Sequence, residues 1–200
     1  NSQEREYLFN AIENIESIKL MKDWAFKWIH SKKSLSYVIF AAGIIEGIFF
    51  SGAFASIFWL KKQRGSGKLF MEGLIKSNKF ISRDESMHQN FACAMYSYIV
   101  KRVSVEDITK MFTEAVAISE EFVTDAINCK LIGMNVDLMN SYIKYVSDRL
   151  LVLLGYEKMF GNENPFPFME TIGMLSKDNF FENRPDAYQK SHNEDNKNDW

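Results

Sequence analysis

Apolar residues recur every three to four positions along most of the chain, which is the spacing of helices that bury one face. The pattern predicts helices over about 4–18, 19–32, 35–61, 82–101, 105–128 and 136–154, with a short one in LFMEGLIKS. Ser104 is expected to cap the helix at 105, with Asp107 completing a capping box, and Gly155 is expected to end the last helix. No stretch alternates convincingly between apolar and polar residues, so an all-α fold is predicted.

The most apolar stretch, residues 37–60, is 24 residues long with a single charge, Glu46. That length could span a bilayer. However, an ionisable side chain well inside the span would be costly against lipid, and no other segment matches this one in length and apolarity. We therefore interpret it as a buried central helix, apolar all round, and predict no membrane partner.

Composition narrows the class of protein further. The 200 residues are enough for one sizeable core, and the three prolines and ten glycines favour long helices over a turn-rich fold. A net charge of −2 gives no basic footprint, so nucleic acid is not an expected partner. Cys93 and Cys129 are isolated and match no zinc or redox spacing, which favours a reduced, cytoplasmic location.

Glu46 is the first candidate for chemistry because it lies within the most apolar stretch of the chain. A buried carboxylate without a partner costs several kcal/mol, against a total stability of roughly 5–15 kcal/mol. Glu46 must therefore be paired with Lys or Arg, be protonated, or bind a metal ion. The residue pattern alone leaves these three alternatives open.

Glu85 and His88 form the second candidate. A spacing of three places both side chains on one helix face, one turn apart, where they can bind one ion. The sequence Ser82-Arg83-Asp84-Glu85 also fits a capping box, with Ser82 as the N-cap, and this is the structural alternative.

Together the two candidates match half of a known arrangement. Ferritin-like di-metal bundles take a Glu from each of two helices and a Glu-x-x-His from each of two others. The chain offers one helix of each kind, so we predict an incomplete ferritin-like bundle in which Glu46, Glu85 and His88 converge in the interior. No second Glu-x-x-His is present, and the chain starts at Asn1 in mid-pattern, so the other ligands are expected upstream. Carboxylates with imidazole and no thiolate suit iron or manganese.

The segments FAAGIIEGIFFSGAFASIFWLKK and ISRDESMHQNFACAMY closely resemble two ligand helices of the small subunit of class I ribonucleotide reductase, eukaryotic type. The resemblance continues through EREYLFNAIE, KLIGMN, DRLLVLLGY, NPFPFME, NFFENR and AYQ. It implies a di-iron centre that generates and stores a tyrosyl radical, which the large catalytic subunit uses to reduce ribonucleotides. Glu46, Glu85 and His88 would be three of the six ligands to the two irons of a complete subunit, and the radical tyrosine lies outside this chain.

The resemblance also implies roles for further residues. It places Asp84, Arg83 and Tyr188 on the radical-transfer route. It places Phe50, Phe54 and Ile81 in the apolar pocket that shields the radical. Ser51 follows Glu46 by five residues and either adjusts the site or only bonds a backbone carbonyl.

The last 18 residues, 183–200, are mostly polar and are expected to be disordered alone. We therefore divide the chain into a helical bundle, 1–182, and a tail, 183–200. The resemblance implies that the tail, which ends in Asn-Asp-Trp, docks on the large subunit, and that small subunits form homodimers. The loop at 61–68 is longer and more basic than in the family, and the shorter tail ends in Trp rather than Phe.

Two other functions are weighed against this one. A non-catalytic paralogue would act as structural partner of an active small subunit, and its upstream part would lack the second Glu-x-x-His or the tyrosine. Another ferritin-like carboxylate protein, such as an iron store or a desaturase relative, would need neither Tyr188 nor an acidic, aromatic C-terminus.

Overall fold

The computed structural model describes residues 2–63, 71–126 and 134–169, and the regular elements in these ranges are helical. The all-α prediction is therefore confirmed. The helices are Ser2–Phe9 (α1), Ala11–Asn14 (α2), Glu16–Ile29 (α3), Leu35–Ile44 (α4), Ser51–Gln63 (α5), Glu72–Ser97 (α6), Val105–Ala126 (α7) and Val136–Leu153 (α8). A π-helical segment, Ile45–Phe49, joins α4 to α5.

Residues Asn1–Phe166 form one compact unit, which contains all eight α-helices and the π segment. A second unit, Pro167–Trp200, is described only over 167–169. The predicted division at residue 182 falls outside the described ranges and stays a prediction.

The apolar stretch is the central element of the first unit. Phe40, Ala41, Ile44 and Ile48 have no exposed surface, because the other helices surround this stretch. In the part of the chain that the structure describes, the helical run Leu35–Lys62 alone is long and apolar enough to cross a membrane. Half of its most apolar window is buried inside the protein, as in a core helix.

The central helix packs against α6 in the antiparallel direction. Gly43 faces Ala92, with a Cβ at Gly43 lying 3.7 Å from the Ala92 Cβ. Further along, the side-chain amide of Asn78 donates to the Phe54 carbonyl at 3.3 Å. Since one residue number rises while the other falls, α6 runs back along the central helix and brings its middle opposite the π segment.

The predicted start of a helix at Ser82 is wrong. The helix α6 begins at Glu72 and runs without a break to Ser97, so that it includes the short helix predicted before it. Ser82 lies inside it, and its hydroxyl donates to the Lys79 carbonyl at 3.2 Å. Ser82 does not begin a helix, although its sequence fits an N-cap. The buried Asn78 fixes the preceding turns against the central helix, and this tertiary contact overrides the local capping preference.

The predicted cap at Ser104 is confirmed. The Asp107 backbone N–H donates to Ser104 Oγ at 3.2 Å. The Asp107 carboxylate does not complete a capping box; it accepts from Ser104 Oγ at 3.0 Å, Lys33 Nζ at 2.8 Å and Tyr37 Oη at 2.6 Å. The hydrogen bond with Lys33 is the largest factor that lowers the pKa of Asp107 to about 2. This carboxylate thus ties the α3–α4 connection to α7.

The helix α8 has distinct signals at both ends. Asn135 caps its start by accepting the Leu138 N–H at 2.9 Å. At its other end Gly155 has a φ of 86°, and the Tyr156 N–H donates to the Leu151 carbonyl at 2.9 Å, which is the hydrogen bond of a Schellman motif. The predicted stop at Gly155 is confirmed.

Asp148 on α8 anchors the loop that follows this helix. Its side chain is 1% exposed and accepts the backbone N–H groups of Met159, Phe160 and Gly161 at 2.7–3.0 Å. Hydrogen bonds to a buried charge stabilise a fold strongly, so Asp148→Ala is expected to lower the free energy of unfolding by about 2–4 kcal/mol. Urea unfolding measures this loss. The exposed Asp137→Ala on the same helix should cost less than about 1 kcal/mol, and equal losses would contradict the anchoring role.

Candidate metal centre

Glu46 lies in the first turn of the π segment, within the central helix. A π segment widens the helix by one residue, and such segments often occur at functional sites. The Ser51 hydroxyl donates to the Ile48 carbonyl of this segment at 2.7 Å. This contact matches the structural interpretation of Ser51, in which the hydroxyl bonds a backbone carbonyl.

The antiparallel α6 supplies Glu85 and His88 from the opposite side. Each of the three residues offers a ligand atom, and these atoms all lie within 4.8 Å of one another. His88 Nδ1 is 3.0 Å from Glu85 Oε2 and 3.9 Å from Glu46 Oε2. The convergence of the three side chains expected from the sequence is found.

The contacts of Glu46 bear on the alternatives that its sequence left open. Among the ion pairs of the described residues, its only partner is His88, so pairing with Lys or Arg is not observed. Its Oε2 atom is buried and has no hydrogen-bond partner. The capping alternative for Glu85 also fails, since Glu85 lies in the middle of α6. Protonation and metal binding remain for Glu46, and a bound ion would satisfy the orphaned oxygen.

The close approach of the three side chains shifts the pKa of each of them. Burial, followed by the neighbouring Glu85 carboxyl, raises the pKa of Glu46 to about 7. The pKa of Glu85 is lowered, chiefly by its interaction with the Glu46 carboxyl. The pKa of His88 is raised, chiefly by its hydrogen bond with Glu85. Without metal, the cluster therefore holds protons that a cation would displace.

These shifts predict that the metal-free protein loses stability as the pH rises from about 5 to 8. Between the ordinary carboxyl pKa of 4.5 and about 7, the folded state binds a proton at Glu46 that the unfolded state has lost, so unfolding becomes easier. The raised pKa of His88 acts in the same direction above pH 6.5, whereas the lowered pKa of Glu85 acts below pH 4.5.

The expected Glu46 contribution is about 1–3 kcal/mol, measurable by urea unfolding of metal-free protein at several pH values. Glu46→Gln should remove that part of the slope. Glu114→Gln, which breaks a 2.8 Å ion pair with Lys27 on another face, should leave the slope unchanged. A stability that rises over this range would contradict the assignment.

The cluster is open on one side, contrary to the interior position expected from the sequence. The His88 side chain is 60% exposed, whereas those of Glu46 and Glu85 are 26% and 21% exposed. The expectation fails for His88 because no described helix covers its face of α6. The ligand atoms of the cluster therefore converge at the surface of the described bundle.

An apolar stripe flanks His88 on the same helix and was missed in the sequence. Positions 81, 84, 88, 91 and 95 of α6 and position 98 directly after it follow one another at spacings of three and four, the spacing of a helix–helix seam, and four of the six are apolar. Ile81, Phe91, Met95 and Tyr98 on this seam are 49%, 67%, 40% and 83% exposed. The three-and-four spacing could have revealed this stripe from the sequence. It was overlooked because the helix was predicted to begin at Ser82, after the first position of the stripe.

The residues assigned to an apolar pocket do not form a closed one here. The Phe50 and Phe54 rings lie 6.3 Å apart, next to the π segment. Phe50 is 40% exposed and Ile81 is 49% exposed. The dry shell that was expected around them is therefore not formed by the described residues.

Of the three radical-transfer candidates, Arg83 and Asp84 lie within the described residues, whereas Tyr188 does not. Arg83 and Asp84 are neighbours on α6, and their side chains form an ion pair at 3.3 Å. They are the two residues before Glu85 in the sequence, so they lie beside the cluster. Tyr188 and the rest of the predicted tail, 183–200, lie outside the described residues.

The fold and the cluster together define a class: a helical bundle in which two carboxylates and an imidazole converge in a group that could hold a metal ion. The match to the family "Ribonucleotide reductase, small chain" extends over residues 1–165. The chain therefore belongs to the ribonucleotide reductase small-chain family, and the resemblance found in the sequence is confirmed.

Relatives support this membership. Ribonucleoside-diphosphate reductase subunit M2 of Danio rerio is 52% identical over 193 residues, which cover 95% of this chain and 48% of that protein. The small chain of Variola virus is 50% identical over 190 residues, 95% of this chain and 58% of that protein. The chain thus spans about half the length of the curated relatives it matches.

Solved structures confirm the ferritin-like fold class. The Rnr4 homodimer of the ribonucleotide reductase from Saccharomyces cerevisiae has a TM-score of 0.70 at 31% identity, over 85% of this chain and 54% of that one. A putative class I ribonucleotide reductase from Bacillus halodurans has a TM-score of 0.73 at 18% identity, over 86% of this chain and 65% of that one. The second likeness concerns the fold alone.

Proposed function

We propose that this chain is part of the small subunit of a ribonucleoside-diphosphate reductase and contributes half of its di-iron site. The observation that supports the proposal is the convergence of Glu46, Glu85 and His88 in a chain of this family. The complete subunit is an oxidoreductase component, active with a large subunit that reduces ribonucleotides to deoxyribonucleotides. The comparisons give no support to the non-catalytic alternative.

The residues present fit an iron site. Two carboxylates and an imidazole, without a thiolate, are ligands that suit iron or manganese. The orphaned Oε2 of Glu46 gains a partner when an ion binds, and the proton held by this carboxyl is released. When bound, the iron pair supplies the one-electron oxidation that forms the tyrosyl radical. A complete subunit takes two irons and six ligands, of which three are proposed here.

Other residues of the chain are proposed to transfer the radical and to keep water away from it. Arg83 holds the Asp84 carboxylate at 3.3 Å, beside the Glu85 ligand, and we propose that this pair and Tyr188 belong to the route toward the large subunit. Phe50, Phe54 and Ile81 are proposed to exclude water from the radical. Their present exposure requires that a further segment cover them in the active protein.

The proposed partners follow from the family. The tail, 183–200, docks on the large subunit, with Trp200 as its apolar anchor, since aromatic residues dominate such contacts. The yeast Rnr4 protein was solved as a homodimer, and we propose that the complete small subunit also forms one. A cytoplasmic location is proposed from the isolated cysteines.

The function is tested by joining an upstream segment with the missing ligands, a second Glu-x-x-His and the tyrosine, to residues 1–200. After addition of ferrous ion and oxygen, about two irons per chain and the electron paramagnetic resonance signal of a tyrosyl radical are expected. The same protein with His88→Ala should lose both. Iron without a radical would favour the non-catalytic paralogue, and no iron at all would refute the proposed function.

A further inference from the structure

We propose that Gln89 is a positioning residue for the metal cluster. Its side-chain amide lies against the backbone of Gly47 and sets the spacing between Glu46 and the turn of α6 that carries the other two ligands. This role rests on the metal binding proposed above and adds to it a residue that binds no ion itself.

Gly47 follows Glu46 in the π segment, and its lack of a side chain makes room for Gln89. A Cβ at Gly47 would lie 2.9 Å from Gln89 Cδ and would overlap its Nε2 atom. Backbone conformation does not require glycine here, since only Gly155 and Gly161 among the described glycines have a positive φ. Glycine is also one of the poorest helix formers. The close approach of Gln89 therefore accounts for a glycine at a position where any other residue would collide with it.

Leu150 of α8 closes the other side of the space beside Gly47. Its Cδ2 would lie 3.3 Å from a Cβ at Gly47, and the residue has no exposed surface. One turn earlier, a Cβ at Gly43 would meet Ala92 and Leu150 at ordinary van der Waals distances of 3.7 and 4.0 Å. The central helix and α6 thus touch through small residues at Gly43, whereas at Gly47 the longer Gln89 side chain fills the space between them.

Each partner of this contact is the direct neighbour of a proposed ligand in the sequence. Gly47 follows Glu46, and Gln89 follows His88. Gln89 is also four residues after Glu85, so these two side chains lie on one face of α6. Gln89 is half-buried, whereas His88 is exposed. A change in this contact therefore moves the turn of the π segment and the turn of α6 that carry the ligands.

The contact matters because only some of the ligand distances are fixed within one helix. Glu85 and His88 share α6, and their Oε2 and Nδ1 atoms are 3.0 Å apart. Glu46 reaches the cluster from the central helix, and its Oε2 is 3.9 Å from His88 Nδ1. This second distance depends on how the two helices are spaced, and metal–ligand bonds tolerate deviations of only about 0.2 Å. Gln89 therefore acts on metal affinity through the place of Glu46.

The amide can be removed from this contact in two independent ways. Gln89→Ala removes it from α6, and Gly47→Ala puts a methyl group in its place, since the end of a flexible side chain can turn away. In the upstream-extended chain described above, each variant is expected to bind Mn²⁺ about 10-fold more weakly. The double variant should also lose about 10-fold rather than about 100-fold, because both changes break the same contact. Titration followed by the electron paramagnetic resonance signal of free Mn²⁺ measures the affinity.

Three further variants separate positioning from a general loss of packing. Gln89→Met keeps the length of the side chain without the amide and should stay within about 3-fold of the parent affinity. Gly43→Ala is the matched glycine control, because its Cβ meets only ordinary contacts, and Asn90→Ala changes an exposed neighbour of Gln89. Both controls should bind Mn²⁺ as the parent does. Circular dichroism should show that Gly47→Ala is folded, because only the flexible end of Gln89 has to move.

Unchanged affinity in both Gln89→Ala and Gly47→Ala would overturn the positioning role and leave the proposed function standing. The role is also overturned if the double variant loses about 100-fold, since the two changes would then act independently. A loss in Gln89→Met or Gly43→Ala as large as that in Gln89→Ala would have the same consequence. If the parent binds no Mn²⁺, the proposed function fails and the positioning role fails with it.

Discussion

Replacing Glu85 with Gln is expected to abolish tight metal binding while changing the stability of the metal-free bundle by no more than about 1 kcal/mol. The two carboxyl groups of Glu46 and Glu85 lie in one cluster, where Glu85 helps to raise the pKa of Glu46. Removing this charge relieves that conflict in the metal-free protein but weakens the 3.0 Å contact of Glu85 with His88, so the two effects on stability largely offset each other. The ion, however, loses a direct ligand, and a loss of affinity of about 100-fold or more is expected.

Metal analysis after dialysis and thermal unfolding of the metal-free protein measure the two effects. Glu114→Gln is the matched control, because Glu114 holds Lys27 at 2.8 Å in an ordinary ion pair away from the cluster. This control should keep its metal and lose at most about 1 kcal/mol of stability. If Glu85→Gln loses stability and keeps its metal, the cluster is structural and the metal assignment is wrong.

Replacing Tyr188 with Phe is expected to reduce turnover of the assembled enzyme to background. Tyr188 lies outside the described residues, in a polar segment where packing gives no reason for an aromatic side chain. A phenol offers a removable proton and an oxidisable ring, whereas Phe offers neither. If Tyr188 connects the stored radical to the large subunit, the variant should still fold, bind iron, form the radical and dock.

The assay combines an upstream-extended small subunit with the large subunit and measures deoxyribonucleotide formation and radical content together. Tyr98→Phe is a suitable control, since Tyr98 is 83% exposed directly after α6 and has no proposed role in radical transfer. A normal turnover rate in Tyr188→Phe would remove Tyr188 from the route.

Much of the site could be predicted because its geometry is local. Glu85 and His88 share a helix face by their spacing alone, and the buried central helix made Glu46 exceptional. The antiparallel packing of two consecutive long helices then brings the three residues together. The ends of α7 and α8 carry residues with clear capping chemistry, and they were predicted to within a few positions.

Other features depend on tertiary contacts that no local pattern contains. Ser82 has the sequence of an N-cap but lies inside α6, because Asn78 anchors the earlier turns to the central helix. The π segment around Glu46 has no residue signature of its own. The exposure of His88 depends on which helices cover α6, and the sequence of α6 alone does not contain that information.

The central claim is that Glu46, Glu85 and His88 bind a metal ion, and anomalous X-ray diffraction tests it most directly. Crystals grown with Fe²⁺ without oxygen, and measured on both sides of the iron absorption edge, would locate each bound ion. A peak with carboxylate oxygens of Glu46 and Glu85 and a ring nitrogen of His88 at about 2.0–2.3 Å is predicted. Iron elsewhere, with these three side chains uncoordinated, would contradict the account.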